Sequence, residues 1–199
     1  MRKGARRTVL LVAIVVAALL GTALAASAAS QQFGYKKVRD GLTAGLPHFA
    51  LTSTDITAHK PIPQQFWGCQ DSGISPQLSW HGAPAATQSY AVTVFDPDAP
   101  TGSGFWHWVA WDIPPGVTSL PTGAALPAGA VNGENDAGTF GYVGPCPPEG
   151  DRTHHYQFTV VALDIAHLGV DATTHAAVVG FLVGHHALAA GELTATARQ

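Results

Sequence analysis

Three segments of the chain place titratable side chains beside rigid Pro or Gly residues, each at the end of an apolar run. They are Asp96-Pro97-Asp98-Ala99-Pro100, Phe105-Trp106-His107-Trp108, and the stretch from Gly144-Pro145-Cys146-Pro147-Pro148 to His154-His155-Tyr156. Protonated His and Tyr donate hydrogen bonds to an anion, and Asp can orient a His ring. Proline supplies a stiff wall without N–H donors, and glycine lets a ligand approach the backbone. Together these residue types are suited to binding a small anion.

Each segment also has an ordinary structural explanation. Asp and Pro are favoured in tight turns, so the segment that begins at Asp96 could be no more than a turn. A His among aromatic residues on a strand is often a core residue, and the segment around His154 could be a rigid loop with exposed rings. The anion-binding hypothesis therefore depends on the three segments meeting in the fold.

Strand alternation predicts which side chains share a face. It places His107 on the face of Val109 and Trp111, with Trp106 and Trp108 on the opposite face. The surroundings of His107 therefore depend on regular alternation along this strand.

On the later strand, the same alternation places His154 and Tyr156 on one face. We expect the Asp96 carboxylate to orient His107 and to support its charged form. With His107 and His154 both near their working pKa, anion affinity should rise as pH falls. Backbone donors, and Arg152 as a further candidate, would complete the site.

The chain around these segments predicts a mainly β domain. Strand-like runs occupy residues 49–53, 78–80, 89–95, 106–113 and 156–163, and Gly, Pro, Asp and Asn separate them. Residues 174–190 have apolar side chains at helical spacing and form the predicted helix. Short strands with many Gly and Pro turns are typical of a β-sandwich with minor helices.

The first residues predict export. Four basic residues at positions 2–7 precede an apolar run over 9–20 and then small residues, which is the layout of a signal peptide. Cleavage after Ala25 or Ala28 predicts a signal peptide over 1–28, a flexible leader over 29–48 and one domain over 49–199. An uncleaved membrane anchor is the alternative, and Arg6-Arg7 leaves twin-arginine export open. The expected location is secreted or in the cell envelope, with no stable transmembrane segment after cleavage.

The charge of the chain limits the classes of partner that it can bind, and its two cysteines predict a disulfide. The whole chain has a formal net charge of −3, with 10 basic and 13 acidic residues. Removing the four basic residues of the signal leaves six basic against 13 acidic residues, a charge of −7. This excess disfavours nucleic acids and anionic membrane surfaces, which need clustered Lys and Arg. In an exported protein Cys69 and Cys146 are expected to form one disulfide, with two separate thiols as the alternative.

The residues together resemble the phosphatidylethanolamine-binding protein (PEBP) family, specifically its bacterial, Raf kinase inhibitor-like branch. The resemblance rests on Ser75-Pro76-Gln77-Leu78-Ser79-Trp80, on the Asp96 turn with His107 at the family's distance beyond it, and on Pro147-Pro148 followed by His154-His155-Tyr156. It extends from about residue 49 to residue 197 and includes the closing Leu188-Ala189-Ala190-Gly191-Glu192-Leu193-Thr194.

The resemblance implies a β-sandwich of one large and one small antiparallel sheet, with minor helices that include a C-terminal one. It also implies a pocket for a phosphate-like group, such as a phospholipid head group. Carried over position by position, the predicted ligand-binding residues are Asp96, Asp98, Pro100, His107, Pro147, Pro148, His154 and Tyr156.

Two positions depart from the family pattern. His155 stands where relatives commonly have Arg, and Cys146 precedes the paired prolines where several relatives have a small residue. The first departure reduces positive charge near the pocket, which predicts weaker or more pH-dependent anion binding.

Three functions are consistent with these residues. The first is an exported protein that binds a small anion or a phospholipid head group, with regulation through protein contact as an extension. The second is a secreted hydrolase or metal-dependent enzyme that uses the same Asp and His residues, which the lack of a Gly-x-Ser-x-Gly elbow and of zinc-ligand spacings disfavours. The third is an extracellular protease inhibitor or an envelope interaction protein. We predict the first, without catalysis, a cofactor or a metal site, and with no identified protein partner.

Overall fold

The structure is a computed structural model that describes residues 41–70 and 73–199. The predicted signal peptide lies outside the described residues, as do residues 29–40 of the predicted leader. The compact unit that carries the predicted site spans Leu42–Gln199. Within the described ranges, no helix has the length and apolar character needed to cross a bilayer.

Strands dominate the described part of the chain. In chain order they are β1 (Ala50–Thr52), β2 (Leu78–His81), β3 (Ser89–Asp96), β4 (Phe105–Ile113), β5 (Ser119–Leu120), β6 (Val131–Asn132), β7 (His154–Leu163) and β8 (Ala187–Ala197). The α-helix α1 spans Ala176–His185, and short 3-10 turns span Gly41–Thr43 and Gln64–Phe66.

The strands form two antiparallel sheets. The large sheet has the order β6-β4-β3-β7-β8, and the small sheet has the order β1-β2-β5. The prediction of a mainly β sandwich with one large and one small sheet is therefore confirmed.

The large sheet buries both of its faces. One face packs against the small sheet, where Trp80 of β2 joins Val92 and Phe158 in a common core. The other face packs against α1, where Val161 joins Val179 in a second core. Phe158 and Val161 lie on opposite faces of β7 because side chains alternate along a strand. A strand that is covered on both sides needs apolar residues at consecutive positions, and the central strands have β-branched and aromatic residues there.

The C-terminal part differs from the prediction. The helix predicted over residues 174–190 ends at His185, and Ala187–Ala197 forms β8 instead. This strand pairs along the length of β7. The predicted helix end was wrong because Ala and Gly have low β propensity, so only the pairing with β7 reveals the strand. The short strands β5 and β6 were also not predicted.

Residues 42–48, which the sequence analysis assigned to the leader, pack on the domain. Leu42 and Leu46 lie against the core beside α1. The Thr43 hydroxyl donates a 2.8 Å hydrogen bond to the Glu192 carboxylate. The packed part of the chain thus begins before the predicted boundary at residue 49, because these leucines bury apolar surface there.

Candidate functional site

The ends of three neighbouring strands meet at one edge of the large sheet. β3 ends at Asp96, whereas β4 begins at Phe105 and β7 begins at His154. Because β3 pairs antiparallel with both β4 and β7, its end lies beside their beginnings. The fold therefore brings together the three segments that the sequence singles out.

A cavity of about 230 Å³ lies at this edge of the sheet. The predicted site residues in its lining are Asp96, Pro100, His107, Pro147, Pro148, His154 and Tyr156. The lining also contains residues that were not predicted: Gly68, Ala99, Thr101, Phe105, Val143, Gly144 and Cys146. Pro100, Thr101 and Pro148 are exposed, whereas Asp96, His154 and Tyr156 are buried. The cavity thus connects exposed rim residues with buried polar groups.

Asp96 orients His154. The Nδ1–H group of His154 donates to Oδ2 of Asp96 at 2.7 Å, and the two side chains are only 1% and 3% exposed. The other carboxylate oxygen, Oδ1, accepts the N–H of Asp98 at 2.8 Å and so closes the turn. The expectation that Asp96 orients His107 was wrong, because the antiparallel pairing of β3 and β7 brings His154 to this carboxylate.

His107 lies beside a β-bulge that changes its face. The β3–β4 register shifts next to this residue, and Trp106 packs on the α1 side of the sheet while Trp108 packs on the small-sheet side. Two residues at spacing two would share a face on a regular strand, so the predicted alternation was wrong here. The bulge turns the His107 ring toward Tyr156, with ring centroids 5.1 Å apart.

A backbone carbonyl holds the His107 ring. Its Nδ1–H group donates to the carbonyl of Val143 at 2.9 Å. Burial lowers the pKa of His107, and the hydrogen bond to Val143 and the charges of Asp96 and Asp136 offset this only in part. The expectation that Asp96 supports the charged form of His107 holds for the direction of its charge effect, but burial outweighs that effect and His107 stays largely neutral near pH 7.

His154 supplies the positive charge of the site. Burial by itself would lower the pKa of His154, but the hydrogen bond and the charge of Asp96, together with those of Asp151, raise it. The second ring nitrogen, Nε2, lies 3.3 Å from Oδ2 of Asp151. The hydrogen bond from the Arg152 backbone N–H, followed by that of His154, lowers the pKa of Asp151. The His154 ring thus lies between two carboxylates that favour its imidazolium form.

Tyr156 is a neutral hydrogen-bond donor in the cavity. Its side chain is buried, and its ring stacks on His154 with centroids 6.4 Å apart. Burial raises the pKa of Tyr156, and the nearby Asp96 carboxylate adds to this effect. The phenol therefore keeps its proton at physiological pH and donates it in a hydrogen bond to Asp96.

Asp98 lies outside the lining of the cavity, unlike the other predicted site residues. Its Oδ2 accepts hydrogen bonds from the backbone N–H and from Nδ1 of His155, at 3.0 and 2.7 Å. The Arg152 guanidinium lies 3.4 Å from its Oδ1. Burial by itself would raise the pKa of Asp98, but the hydrogen bonds from His155 lower it. In this structure Asp98 braces the turn against β7, and Arg152 is directed to Asp98.

The disulfide and two glycines secure the rim of the cavity. Cys69 and Cys146 form the predicted disulfide, with their Cα atoms 5.0 Å apart. The Gly68 N–H donates to the carbonyl of Pro145 at 3.0 Å. A Cβ on Gly144 would collide with the backbone of the segment that contains Gly68. Two chain segments far apart in sequence therefore lie in direct backbone contact at the rim.

In the described part of the chain, no group of three or more His, Cys, Asp or Glu side chains is arranged to hold a metal ion. Asp96 and His154, the best candidates by residue type, are bonded to each other.

Two groups that affect the protonation of the His107 and His154 rings were not predicted from the sequence. One is the Val143 carbonyl, a backbone group that no side-chain pattern reveals. The other is Asp151, which stands three residues before His154 in a Gly- and Pro-rich loop. This spacing could have identified Asp151 as a candidate partner of the His154 ring.

Comparisons with known proteins agree with the resemblance seen in the sequence. A family model described as phosphatidylethanolamine-binding protein matches residues 52–198. The UPF0098 protein YbcL of Escherichia coli K12 is 44% identical over 156 residues, which cover 73% of this chain and 85% of YbcL. YbhB of the same organism is 43% identical over 154 residues, which cover 73% of this chain and 97% of YbhB.

Solved structures give the same result. The crystal structure of E. coli YbcL, described as a new member of the mammalian PEBP family, matches with a TM-score of 0.74 and 42% identity, covering 76% of this chain and 99% of that one. The structure of CT736 from Chlamydia trachomatis matches with a TM-score of 0.68 and 34% identity, covering 76% of this chain and 98% of that one.

Proposed function

Because the chain belongs to the phosphatidylethanolamine-binding protein family, we propose that it is an exported protein that binds a small anion, such as phosphate or a phospholipid head group, in the cavity beside His154. The observation that carries the proposal is the buried His154 ring, which Asp96 orients in the lining of a cavity with exposed rim residues and whose charged form that carboxylate favours. A fixed imidazolium is a strong hydrogen-bond donor for an anion.

The other lining groups suit the same ligand. The Tyr156 hydroxyl, which forms a hydrogen bond with Asp96, stays neutral because burial raises its pKa, so it adds no negative charge to the cavity. Pro147 and Pro148 form a stiff wall that loses little conformational entropy when a ligand binds.

The size of the cavity limits the ligand. One water molecule occupies about 30 Å³ in the liquid, so a cavity of about 230 Å³ has room for roughly seven waters. A phosphate group with a short substituent fits this volume, whereas the acyl chains of a phospholipid would have to remain outside. We therefore infer that the site recognises a head group rather than a lipid tail.

Export is supported by two features of the chain. The N-terminal basic residues and apolar run have the layout of a signal peptide. The disulfide between Cys69 and Cys146 is of a kind that persists in oxidising compartments.

Calorimetry of the mature protein at pH 6 tests the proposal, with inorganic phosphate and phosphoethanolamine as probes. His154→Gln should weaken binding by about ten- to a hundred-fold, because hydrogen bonds to charged groups contribute roughly 1.5–3 kcal/mol. The matched control is His81→Gln, since His81 is exposed at the end of β2. Binding that survives the loss of both His107 and His154 would refute the assignment.

A further inference from the structure

The contact between His154 and Asp151 occupies the group that the proposed ligand needs. Asp96 already uses Nδ1 of the His154 ring, at 2.7 Å. An imidazolium has two N–H groups, so only Nε2 remains for a ligand. In the structure Nε2 lies 3.3 Å from the carboxylate of Asp151. An anion that binds this ring must therefore take the place of Asp151.

We propose that Asp151 is a specificity-determining residue, whose carboxylate competes with the ligand for Nε2 of His154 and selects against doubly charged anions. This inference rests on the proposed anion-binding function. It adds a residue whose own charge opposes the ligand.

The two carboxylates that contact His154 differ in their freedom to move. Asp96 is 3% exposed and also accepts the Asp98 N–H, so leaving its place would break two buried hydrogen bonds. Asp151 is 33% exposed and lies in the loop between Pro148 and His154. Its Oδ1 also accepts the Arg152 N–H at 2.7 Å, but this hydrogen bond is exposed, so water can replace it. Its side chain can turn to water at little cost, because a partly exposed ion pair contributes little stability. Asp96 is therefore a permanent partner of the ring and Asp151 an exchangeable one.

The charge balance gives the competition its selectivity. Two carboxylates, those of Asp96 and Asp151, contact one ring that carries at most a single positive charge, that of His154. The Arg152 guanidinium is directed to Asp98, at 3.4 Å. After displacement, Asp151 remains attached to the same loop near the ligand, and its repulsion doubles when the ligand carries two negative charges instead of one. A singly charged phosphodiester should therefore be favoured over a doubly charged phosphomonoester.

The test compares Asp151→Ala with Glu149→Ala, which removes an equal charge from an exposed position in the same loop. The calorimetric probes at pH 7 are methyl phosphate, mostly doubly charged because a phosphomonoester has a second pKa of about 6, and dimethyl phosphate, which is singly charged. Asp151→Ala should bind methyl phosphate about three- to ten-fold tighter than the unchanged protein and dimethyl phosphate only about twofold tighter. Glu149→Ala should stay within about twofold for both probes.

A second readout needs no ligand. In the NMR titration of the His154 ring nitrogens, Asp151→Ala should lower the pKa of His154, because it removes one of the two carboxylates that raise it. Glu149→Ala should leave this titration unchanged. If Asp151→Ala is poorly folded, Asp151→Asn serves instead, because it removes the charge and retains the shape of the side chain. Asp151→Asn should also lower the pKa of His154.

The outcomes separate this inference from the proposed function. If the unchanged protein binds the phosphates and Asp151→Ala gains no more than Glu149→Ala, the inference is overturned and the proposed function stands. An unchanged pKa of His154 in Asp151→Ala also overturns it. If neither protein binds either phosphate, both proposals fail.

Discussion

Replacing Asp96 with Asn tests the ion pair on which the site depends. The amide oxygen of Asn can still accept the Asp98 N–H, which now lies 2.8 Å from Oδ1. It no longer provides a negative charge for the His154 ring, which lies 2.7 Å from Oδ2. Since both side chains are almost fully buried, water cannot replace the lost partner. The variant thus removes one buried charge and leaves the shape of the turn unchanged.

The expected loss of stability follows from this burial. Removing one partner of a buried ion pair costs about 3–5 kcal/mol when the other charge remains. His154 can instead lose its proton, so we expect about 2–3 kcal/mol of unfolding free energy at pH 6. The pKa of His154 in the folded protein is raised above its ordinary value of 6.5. The stability from its charged form is therefore complete below about pH 6.5 and is lost as pH rises through the folded-state pKa.

Urea unfolding at pH 6 and at pH 9 measures this difference. Asp96→Asn should lose more free energy of unfolding at pH 6 than at pH 9. The matched control is Asp164→Asn, because the 51% exposed Asp164 forms a surface pair with His186 at 2.9 Å. This control should lose less than about 1 kcal/mol at either pH. A loss in Asp96→Asn that is equal at both pH values, or larger at pH 9, contradicts the reasoning.

Three further predictions concern the rim and the charge of the site. Gly144→Ala should lower the unfolding free energy by about 1–3 kcal/mol, because the added Cβ meets fixed backbone. The control Gly116→Ala, whose Cβ meets open space, should keep a near-normal melting temperature, whereas that of Gly144→Ala should fall. Equal melting temperatures for the two variants would contradict this. Replacing both Cys69 and Cys146 with Ala should lower the free energy of unfolding in urea by about 2–5 kcal/mol, because the disulfide closes a loop with a sequence separation of 77. A loss below about 1 kcal/mol would contradict this prediction. The affinity for dimethyl phosphate, measured by calorimetry, should fall with a one-proton slope as pH rises through the raised pKa of His154; a two-proton slope would show that a second histidine is charged.

Several features of the site were predictable from local sequence. A β-branched and aromatic run that stops at Asp96-Pro97 indicates a strand that ends in a turn, and β3 ends at Asp96. Alternation correctly placed His154 and Tyr156 on one face, because β7 is regular there. The even number of cysteines, together with the predicted export, indicated the disulfide. Each of these inferences uses only neighbouring residues or residue counts.

Other features depend on contacts between distant segments. The first residues of the Ala-rich strand β8 were predicted as the end of the helix over residues 174–190, and they form a strand because β7 supplies their hydrogen-bond partners. The bulge beside His107 arises from the register between β3 and β4, so no periodicity within β4 reveals it. The partner that holds His107 is a backbone carbonyl, which carries no side-chain signature.

The amino-acid sequence by itself determined the residue types of the site, its β-rich framework and its proline wall, since these follow from local propensity and chemical identity. Only the tertiary structure decided that Asp96 pairs with His154, that Asp98 braces the turn outside the cavity, and that Asp151 contacts the remaining nitrogen of the ring. The physical reason is that the protonation of a buried His depends on which carboxylate lies within hydrogen-bonding distance. That distance is set by strand register and loop conformation.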